Sequence, residues 1–210
     1  MTQVGRFIVF EGVEGAGKTT QIRLTAAYLQ NQVNVSVQVT REPGGTKLGQ
    51  SLRQLLLHDS PMNDRTELLL FAADRAEHVQ TVLQPALDQN TIVLCDRYTD
   101  STLAYQHYGR GIERQVIEQL NTIATGGLTS DLTFWLDLDV STGLGRSQKN
   151  ISGDRIERAD VDFHQRVQAG FAALAQQFPD RIIPIDATQT VQQIQTEIQF
   201  HLAERLGLGG

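Results

Sequence analysis

Cysteine is nearly absent from this chain: Cys95 stands alone among 210 residues. A single thiol excludes a disulfide scaffold within the chain and any cysteine-built zinc cluster. Proline is scarce, at five residues, and no long Ser/Gly/Pro tract occurs, so disorder is not expected away from the ends. No apolar run approaches the length needed to span a bilayer. The opening MTQVGRFIVF has no basic region followed by a long apolar stretch, so no targeting segment is expected. These absences point to a soluble protein of a reducing cytoplasm, with no membrane partner. Metal-ligand spacing is also missing: His58, His78, His107, His164 and His201 are scattered along the chain. Nor is positive charge in excess. The formal net charge of −6 argues against polymeric nucleic acid as a partner, although a local basic pocket is compatible with it.

What the chain does have is a core and a loop. Forty percent of the residues are hydrophobic, enough for one domain spanning residues 1–210. Residues Gly12 to Thr20 read GVEGAGKTT, which contains Gly-x-x-x-x-Gly-Lys-Thr with Gly12, Gly17, Lys18 and Thr19 in register. The hydrophobic segment RFIVF runs into it and the helical pattern TTQIRLTAAYLQ runs out of it. A helix start leaves backbone N–H groups without internal partners, and glycines let the chain curl so that those groups converge on a phosphate. Gly12, Val13, Glu14, Gly15, Ala16, Gly17, Lys18, Thr19 and Thr20 are therefore the candidate nucleoside triphosphate site. Lys18 is suited to the β/γ oxygens and the Thr19 hydroxyl to Mg²⁺. The plainer alternative, a glycine-rich turn beside a surface lysine, does not account for the flanking strand and helix.

Five segments read as buried strands: 6–10, 35–40, 91–95, 132–137 and 181–185. They lack polar alternation, as parallel strands covered on both faces do. Helical patterns separate them, over 19–30, 48–57, 67–89 (with a break or bend), 112–124, 141–148, 160–178 and 191–206. The expected fold is α/β, a five-stranded parallel sheet flanked by helices. Ligands in such sheets bind beyond the carboxyl ends of the strands, and polar clusters follow each strand there.

Three of those segments suit a second substrate. Arg41–Thr46 reads REPGGT and offers a cation, an anion in Glu42 and a rigid turn at Pro43. Phe71 and Arg75 lie four apart on one helical face; a ring can stack on a base and a guanidinium can bond a ring carbonyl. The plainer reading makes Phe71 core and Arg75 the partner of a carboxylate. In CDRYTDSTLAYQ, Asp96 ends a strand where Mg²⁺ contacts are expected, and Arg97 is placed to hold an acceptor phosphate. Ser101, Tyr105 and Gln106 follow on a helix, and Gln106 carries both donor and acceptor for a base edge. A basic, polar segment, about 145–158, then holds Arg146, Lys149, Arg155 and Arg158. A lid carrying cations would bridge the migrating group and exclude water. A solvated loop is the alternative.

Taken together, EGVEGAGKTTQ (11–21), REPGGT (41–46), LLLFAADRAEH (68–78), DRYTDSTLAYQ (96–106), GDRIER (153–158) and IDAT (185–188) resemble the thymidylate kinase family in its bacterial form, over nearly the whole chain. The resemblance implies a fold like that of phosphate-loop NTPases with a short lid, ATP and Mg²⁺ as cofactors, dTMP as acceptor giving dTDP, and a homodimer. It implies that Phe71 stacks on thymine, that Arg75 and Gln106 contact the base, and that Tyr105 lies near the sugar. Arg97 and Arg41 then belong at the acceptor phosphate, with Glu42 and Ser101 in the same pocket and Asp96 on the phosphate and metal side. Arg146 and the 187–189 region, Thr188 included, belong to the adenine site. Because the loop carries Glu14, the chain looks like members whose lid supplies the catalytic cation. A lid cation facing Glu14 is expected, with Arg155 first and Lys149 second for the bridging role. Two alternatives stay open: a kinase of another nucleoside monophosphate or deoxynucleoside, and a nucleotide-dependent switch. The second usually carries a guanine-reading Asn-Lys-x-Asp, which this sequence lacks.

Overall fold

The computed structural model describes residues 5–58, 61–147, 155–156 and 158–209. Its centre is one sheet of five parallel strands in the order β2-β3-β1-β4-β5. They are β1 Arg6–Glu11, β2 Val37–Arg41, β3 Ile92–Asp96, β4 Leu132–Asp137 and β5 Ile182–Asp186. Parallel neighbours need a long crossover, and helices supply it: α1 Lys18–Tyr28, α2 Lys47–Leu57, α3 Asp64–His78, α4 Gln84–Asp88, α5 Thr99–Thr102, α6 Arg114–Thr125, α7 Val140–Ser147, α8 Val161–Gln177 and α9 Val191–Leu206. Wider helical turns at Leu29–Val33, Val79–Leu83 and Leu103–Gly109 prolong α1, α3 and α5.

Side chains alternate across a strand, and β1 feeds both layers. Ile8 and Phe10 pack with Leu94, Phe134 and Leu136 beneath Ile22 of α1 and Ile194, Ile198 and Leu202 of α9. Phe7 and Val9 face the other way, against Val93, Val79 and Leu83. On that second face Trp135 stacks on Phe171 of α8 at 6.3 Å, beside Phe163, Val167 and Leu174. Each such fully buried side chain contributes about 1.5–3 kcal/mol. α8 presses directly on the turns after α5. A Cβ on Gly170 would lie 2.7 Å from the Tyr108 ring, and one on Gly109 would lie 2.6 Å from the Phe163 ring.

The sequence pattern locates every strand to within two residues. β2 starts later than expected because the chain first closes the preceding helix: Asn34 takes a left-handed backbone (φ 59°) and Val35 N–H donates to Leu29 C=O. β2 is also the sheet edge, so Val39 is 53% exposed rather than buried. α3 begins earlier, at a cap where Asn63 Oδ1 accepts from Arg65 N–H. The wider turn at Val79–Leu83 separates α3 from α4, just before Pro85, which cannot donate to the helix ladder.

All five strands end on a charged residue: Glu11, Arg41, Asp96, Asp137 and Asp186. That edge of the sheet is where the site forms.

Candidate active site

The phosphate loop curls between β1 and α1. Gly12 adopts φ 140°, and a Cβ there would lie 2.6 Å from the Leu136 carbonyl oxygen. Val13 and Ala16 are buried in the core beneath the loop, so they offer the cleft backbone only. Lys18 is buried as well. Its Nζ donates to the carbonyls of Gly12 (3.0 Å) and Val13 (3.2 Å), which holds the ammonium inside the curl. Burial, then the charge of Arg97, pull its pKa below the ordinary lysine value, while Glu14, Asp96 and Glu11 oppose that pull. Gly143 of α7 packs on Gly15, and Arg146 Nη1 reaches the Gly15 carbonyl at 3.5 Å.

The turn after β3 meets this loop. β1 and β3 pair with Phe10 opposite Asp96, and Arg97 N–H donates to Phe10 C=O at 3.0 Å. Arg97 has a left-handed backbone (φ 71°), a conformation that costs a non-glycine residue of order 1–3 kcal/mol at such sites. Its side chain is held from three sides: Nη2 donates to Glu14 at 2.5 Å, Nη1 to Ser101 Oγ at 3.2 Å, and the guanidinium lies 5.1 Å over the Tyr105 ring. The Lys18 ammonium, with Arg97, holds the Glu14 carboxyl down to about 2 against the effect of burial. Among the described residues the ion-pair partner of Glu14 is Arg97; most of the segment expected to supply a lid cation lies outside them.

Glu11 organises the same turn from below. Its carboxyl accepts from Tyr98 N–H (2.9 Å), Ser101 N–H (3.0 Å) and Ser101 Oγ (2.5 Å). Burial pushes its pKa up to about 7, although the charge of Arg97 draws it back.

Asp96 and Thr19 face one cavity, where Asp96 Oδ1 is buried without a hydrogen-bond partner. Such an orphaned acceptor calls for a partner from outside the protein. Among the described residues no three metal-binding side chains cluster. One carboxylate and one hydroxyl suit Mg²⁺, which keeps water and takes its remaining ligands from substrate phosphates. The donor set fits that ion.

The cavity measures about 410 Å³, within the usual range for small-molecule sites. It opens from the phosphate loop toward α3. Every residue expected on the acceptor side lines it: Arg41, Glu42 and Pro43 from the turn after β2, Phe71 and Arg75 from α3, and Arg97, Ser101, Tyr105 and Gln106. Arg75 is more deeply committed than the sequence implied. Its guanidinium donates to Glu42 (2.8 Å), Thr102 (2.8 Å), Asn121 (2.7 Å) and the Tyr98 carbonyl (3.0 Å). At most one of an arginine's five N–H groups then remains for a base.

Other residues shape the site that sequence reasoning missed. His78, read as one of the scattered histidines, is fully buried; its Nδ1 bonds Glu42 at 2.8 Å and its Nε2 bonds Thr40 at 2.7 Å. Asp74 Oδ1 accepts from Gly44 N–H at 3.0 Å, and burial raises its pKa to about 6. Arg53 of α2 lines the cavity and donates to the Pro43 carbonyl at 2.9 Å. The helical spacing of Asp74 and His78 beside Arg75 was the signal available for two of them.

Arg146 and Thr188, expected at the adenine, do not line this cavity, and the Thr188 hydroxyl and N–H both go to Asp186 Oδ1 (2.6 and 2.9 Å). Arg155, expected at the phosphate junction, is not among the residues that line the cavity. It donates through Nε to the Leu56 carbonyl at 3.3 Å and forms an ion pair with Glu67 of α3. Lys149 lies outside the described residues, as does most of the segment expected as a lid.

A phosphate-gripping loop that faces a cation-lined acceptor cleft across the top of a parallel sheet defines a nucleotide-dependent phosphotransferase of the phosphate-loop class. A family model described as thymidylate kinase matches residues 10–198. The chain is 55% identical over 206 residues to the thymidylate kinase of Trichormus variabilis, covering 96% of this chain and 97% of that protein. It is 54% identical over 222 residues to the thymidylate kinase of a Cyanothece species, covering 96% and 95%. The crystal structure of thymidylate kinase from Ehrlichia chaffeensis superposes with a TM-score of 0.78 at 38% identity, covering 95% of this chain and 99% of that one. The chain belongs to the thymidylate kinase family, whose reaction is the ATP-dependent phosphorylation of dTMP to dTDP.

The Glu11 carboxyl sets a measurable pH dependence. Its folded-state pKa of about 7 lies above the ordinary value of 4.5, so the folded state favours the protonated form. That stabilisation is fully present below the unfolded-state pKa and is lost as pH rises through the folded one. Urea unfolding at several pH values between about 4.5 and 8 should show wild type losing on the order of 2–3 kcal/mol relative to Glu11→Gln. Parallel pH profiles for the two proteins would refute the assignment.

Proposed function

We propose that residues 1–210 form one phosphoryl-transfer unit that moves the γ-phosphoryl group of ATP onto dTMP in the cavity described above, with Mg²⁺, as a cytoplasmic homodimer. The observation that carries this reading is one cavity lined both by Lys18 of the donor loop and by Arg97 of the acceptor turn, with Arg97 paired to Glu14 of that loop at 2.5 Å. Donor and acceptor phosphates would come together there.

The phosphates of ATP would lie along Gly12–Thr20, with Lys18 on the leaving oxygens and the adenine toward Arg146 and Thr188. The dTMP base would stack on Phe71, with Gln106 and the remaining N–H of Arg75 at its edge and Tyr105 near the sugar. Arg97 and Arg41 would hold its phosphate, framed by Glu42, Pro43 and Ser101. In the reaction an oxygen of the dTMP phosphate forms a bond to the γ-phosphorus. The bond from that phosphorus to the β-γ bridging oxygen breaks, and ADP leaves with the electron pair. That acceptor oxygen is already anionic near neutral pH, so no side chain need remove a proton. Alignment and fixed positive charge carry the acceleration. Thr19 and Asp96 would hold Mg²⁺, which supplies further neutralisation of phosphate charge. Lys149 is the remaining lid candidate for a cation at the junction.

Support for the homodimer comes from one helical layer. α3 packs between α2 and α6. Leu48 and Leu55 on α2, Leu69 on α3, and Val116 and Ile123 on α6 are exposed apolar residues, with Ile123 at 79%. Each pair on α2 and α6 is spaced seven apart, so it shares a helix face. A second copy of the chain would cover that surface.

Three measurements follow. Lys18→Ala should lower kcat by at least about a hundredfold with an unchanged melting temperature; near-normal turnover in the folded variant would remove Lys18 from the chemistry. Phe71→Ala should raise KM for dTMP by about five- to a hundredfold while KM for ATP stays put, and an unchanged dTMP KM would end the stacking role. Sedimentation of wild type should give twice the chain mass, and Ile123→Glu should give a monomer; a dimeric Ile123→Glu would move the interface elsewhere.

A further inference from the structure

Glu67 is a fully buried carboxylate on the acceptor side, and the reaction as described gives it nothing to do. It sits in the first turns of α3 with its side chain 1% exposed. Oε1 accepts from Gln106 Nε2 at 2.9 Å and from Arg110 Nε at 3.4 Å. Oε2 accepts from Arg110 Nη2 at 3.3 Å and from Arg155 Nη2. Three side chains from two distant parts of the chain, Gln106 with Arg110 and Arg155, therefore converge on one anion. An apolar side chain of similar volume would pack α3 against the turns of Leu103–Gly109 with less desolvation, so packing alone does not explain a charge here. Burial pushes the carboxyl pKa up, but the hydrogen bonds from Gln106 and Arg155 outweigh it and hold the group below its ordinary range.

We infer that Glu67 is a positioning residue: it fixes which way the Gln106 amide points, and so which hydrogen-bonding edge of a pyrimidine the cleft accepts. This rests on the reading that dTMP occupies the cavity. An ionised carboxylate only accepts hydrogen bonds, whereas an amide has a donor end and an acceptor end. With Nε2 committed to Glu67, Gln106 offers Oε1 as its acceptor to the cavity it lines. Thymine presents N3–H, a donor, to such an oxygen. A cytosine ring presents a bare N3, an acceptor, and two acceptors repel. The two arginines keep the anion in place, and Arg155 brings the neighbouring Ile156 to the same end of the cavity.

The test compares kcat/KM for dTMP with that for 5-methyl-dCMP, which has the same 5-methyl group, sugar and phosphate but the cytosine edge. Glu67→Gln gives Gln106 a partner that can donate, so the amide is free to turn over. Its dTMP to 5-methyl-dCMP ratio should fall by at least about tenfold, with KM for ATP unchanged. Glu67→Asp still only accepts, and its ratio should stay within about threefold of wild type even where dTMP KM rises. In a Gln106→Leu background, Glu67→Gln should change the ratio no further. An unchanged ratio in Glu67→Gln, equal losses in the Gln and Asp variants, or a full effect in the Gln106→Leu background would each overturn the inference. Should Glu67→Gln fail to fold, Arg155→Gln probes the same anion: a lower ratio at unchanged kcat supports the inference, and a lower kcat at unchanged ratio defeats it. Wild-type turnover of dTMP in the same series tests the underlying reading separately.

Discussion

β1 and β3 run parallel with Phe10 opposite Asp96, and this register joins the phosphate loop to the Asp96–Arg97 turn through one backbone hydrogen bond. The arrangement at the top of the sheet depends on it. Because the side-chain period of a strand is two, a slip of one residue would turn Asp96 to the opposite face. It would also break the bond that supports the left-handed Arg97. The fully buried interiors of both strands prevent such a slip, since it would turn their apolar side chains toward the wrong layer. Core packing thus determines, several residues away, where the phosphate loop and the Asp96–Arg97 turn meet.

The ion pairs around the cavity fall into two groups that burial separates. Glu42 and Arg75 are 3% and 2% exposed, at 2.8 Å. Removing one partner of such a pair typically costs about 3–5 kcal/mol, because the other charge is stranded. That pair is scaffold, and His78 and Asp74 brace the same turn. Glu14 is 39% exposed and pairs with Arg97 at 15%. Pairs this open to solvent are worth about 0–1 kcal/mol net. Arg97 can therefore exchange Glu14 for a phosphate at little cost, whereas Arg75 cannot leave Glu42. Lys18 falls with the exchangeable group, since carbonyl oxygens rather than a carboxylate hold its ammonium. The residues proposed to handle phosphate are those free to change partners.

Local pattern made the phosphate loop, the strands and the acceptor-side segments legible in the sequence. Gly12, Lys18 and Thr19 announce themselves by spacing, and Phe71 and Arg75 by a helical repeat. Long-range pairing was not legible. Nothing near Glu14 in the chain says that Arg97 is its partner, 83 residues on. Arg155 sits in the expected basic segment, but its anion, Glu67, is 88 residues earlier; a charge in a polar run gives no indication of which carboxylate it meets. His78 looked like a scattered histidine because its role needs Thr40 and Glu42 on another element. Arg53 had no motif around it at all.

α3 shows what the sequence held without making readable. Phe71 lies four residues after Glu67, the adjacent Asp74 and Arg75 three and four after Phe71, and His78 four and three after those two, the spacings that put side chains on one side of a helix. Read as an apolar stripe, that face is mediocre, with two carboxylates, an arginine and a histidine among its members. Read as the wall of a binding cleft, it is continuous: His78 and Asp74 grip the turn after β2, Arg75 ties Glu42 to Thr102, Phe71 presents a ring, and Glu67 sets Gln106. Because one rigid element supplies all of these groups, their relative positions are settled when the protein folds. Ordering rotamer-rich side chains on binding costs about 0.5–1.5 kcal/mol each, and a wall already held by buried hydrogen bonds avoids most of that. On the proposed reading, the base end of the cavity is therefore pre-set, while the phosphate end keeps its cations in exchangeable pairs. A kinase that must recognise one base yet release a product with an added phosphate requires that division.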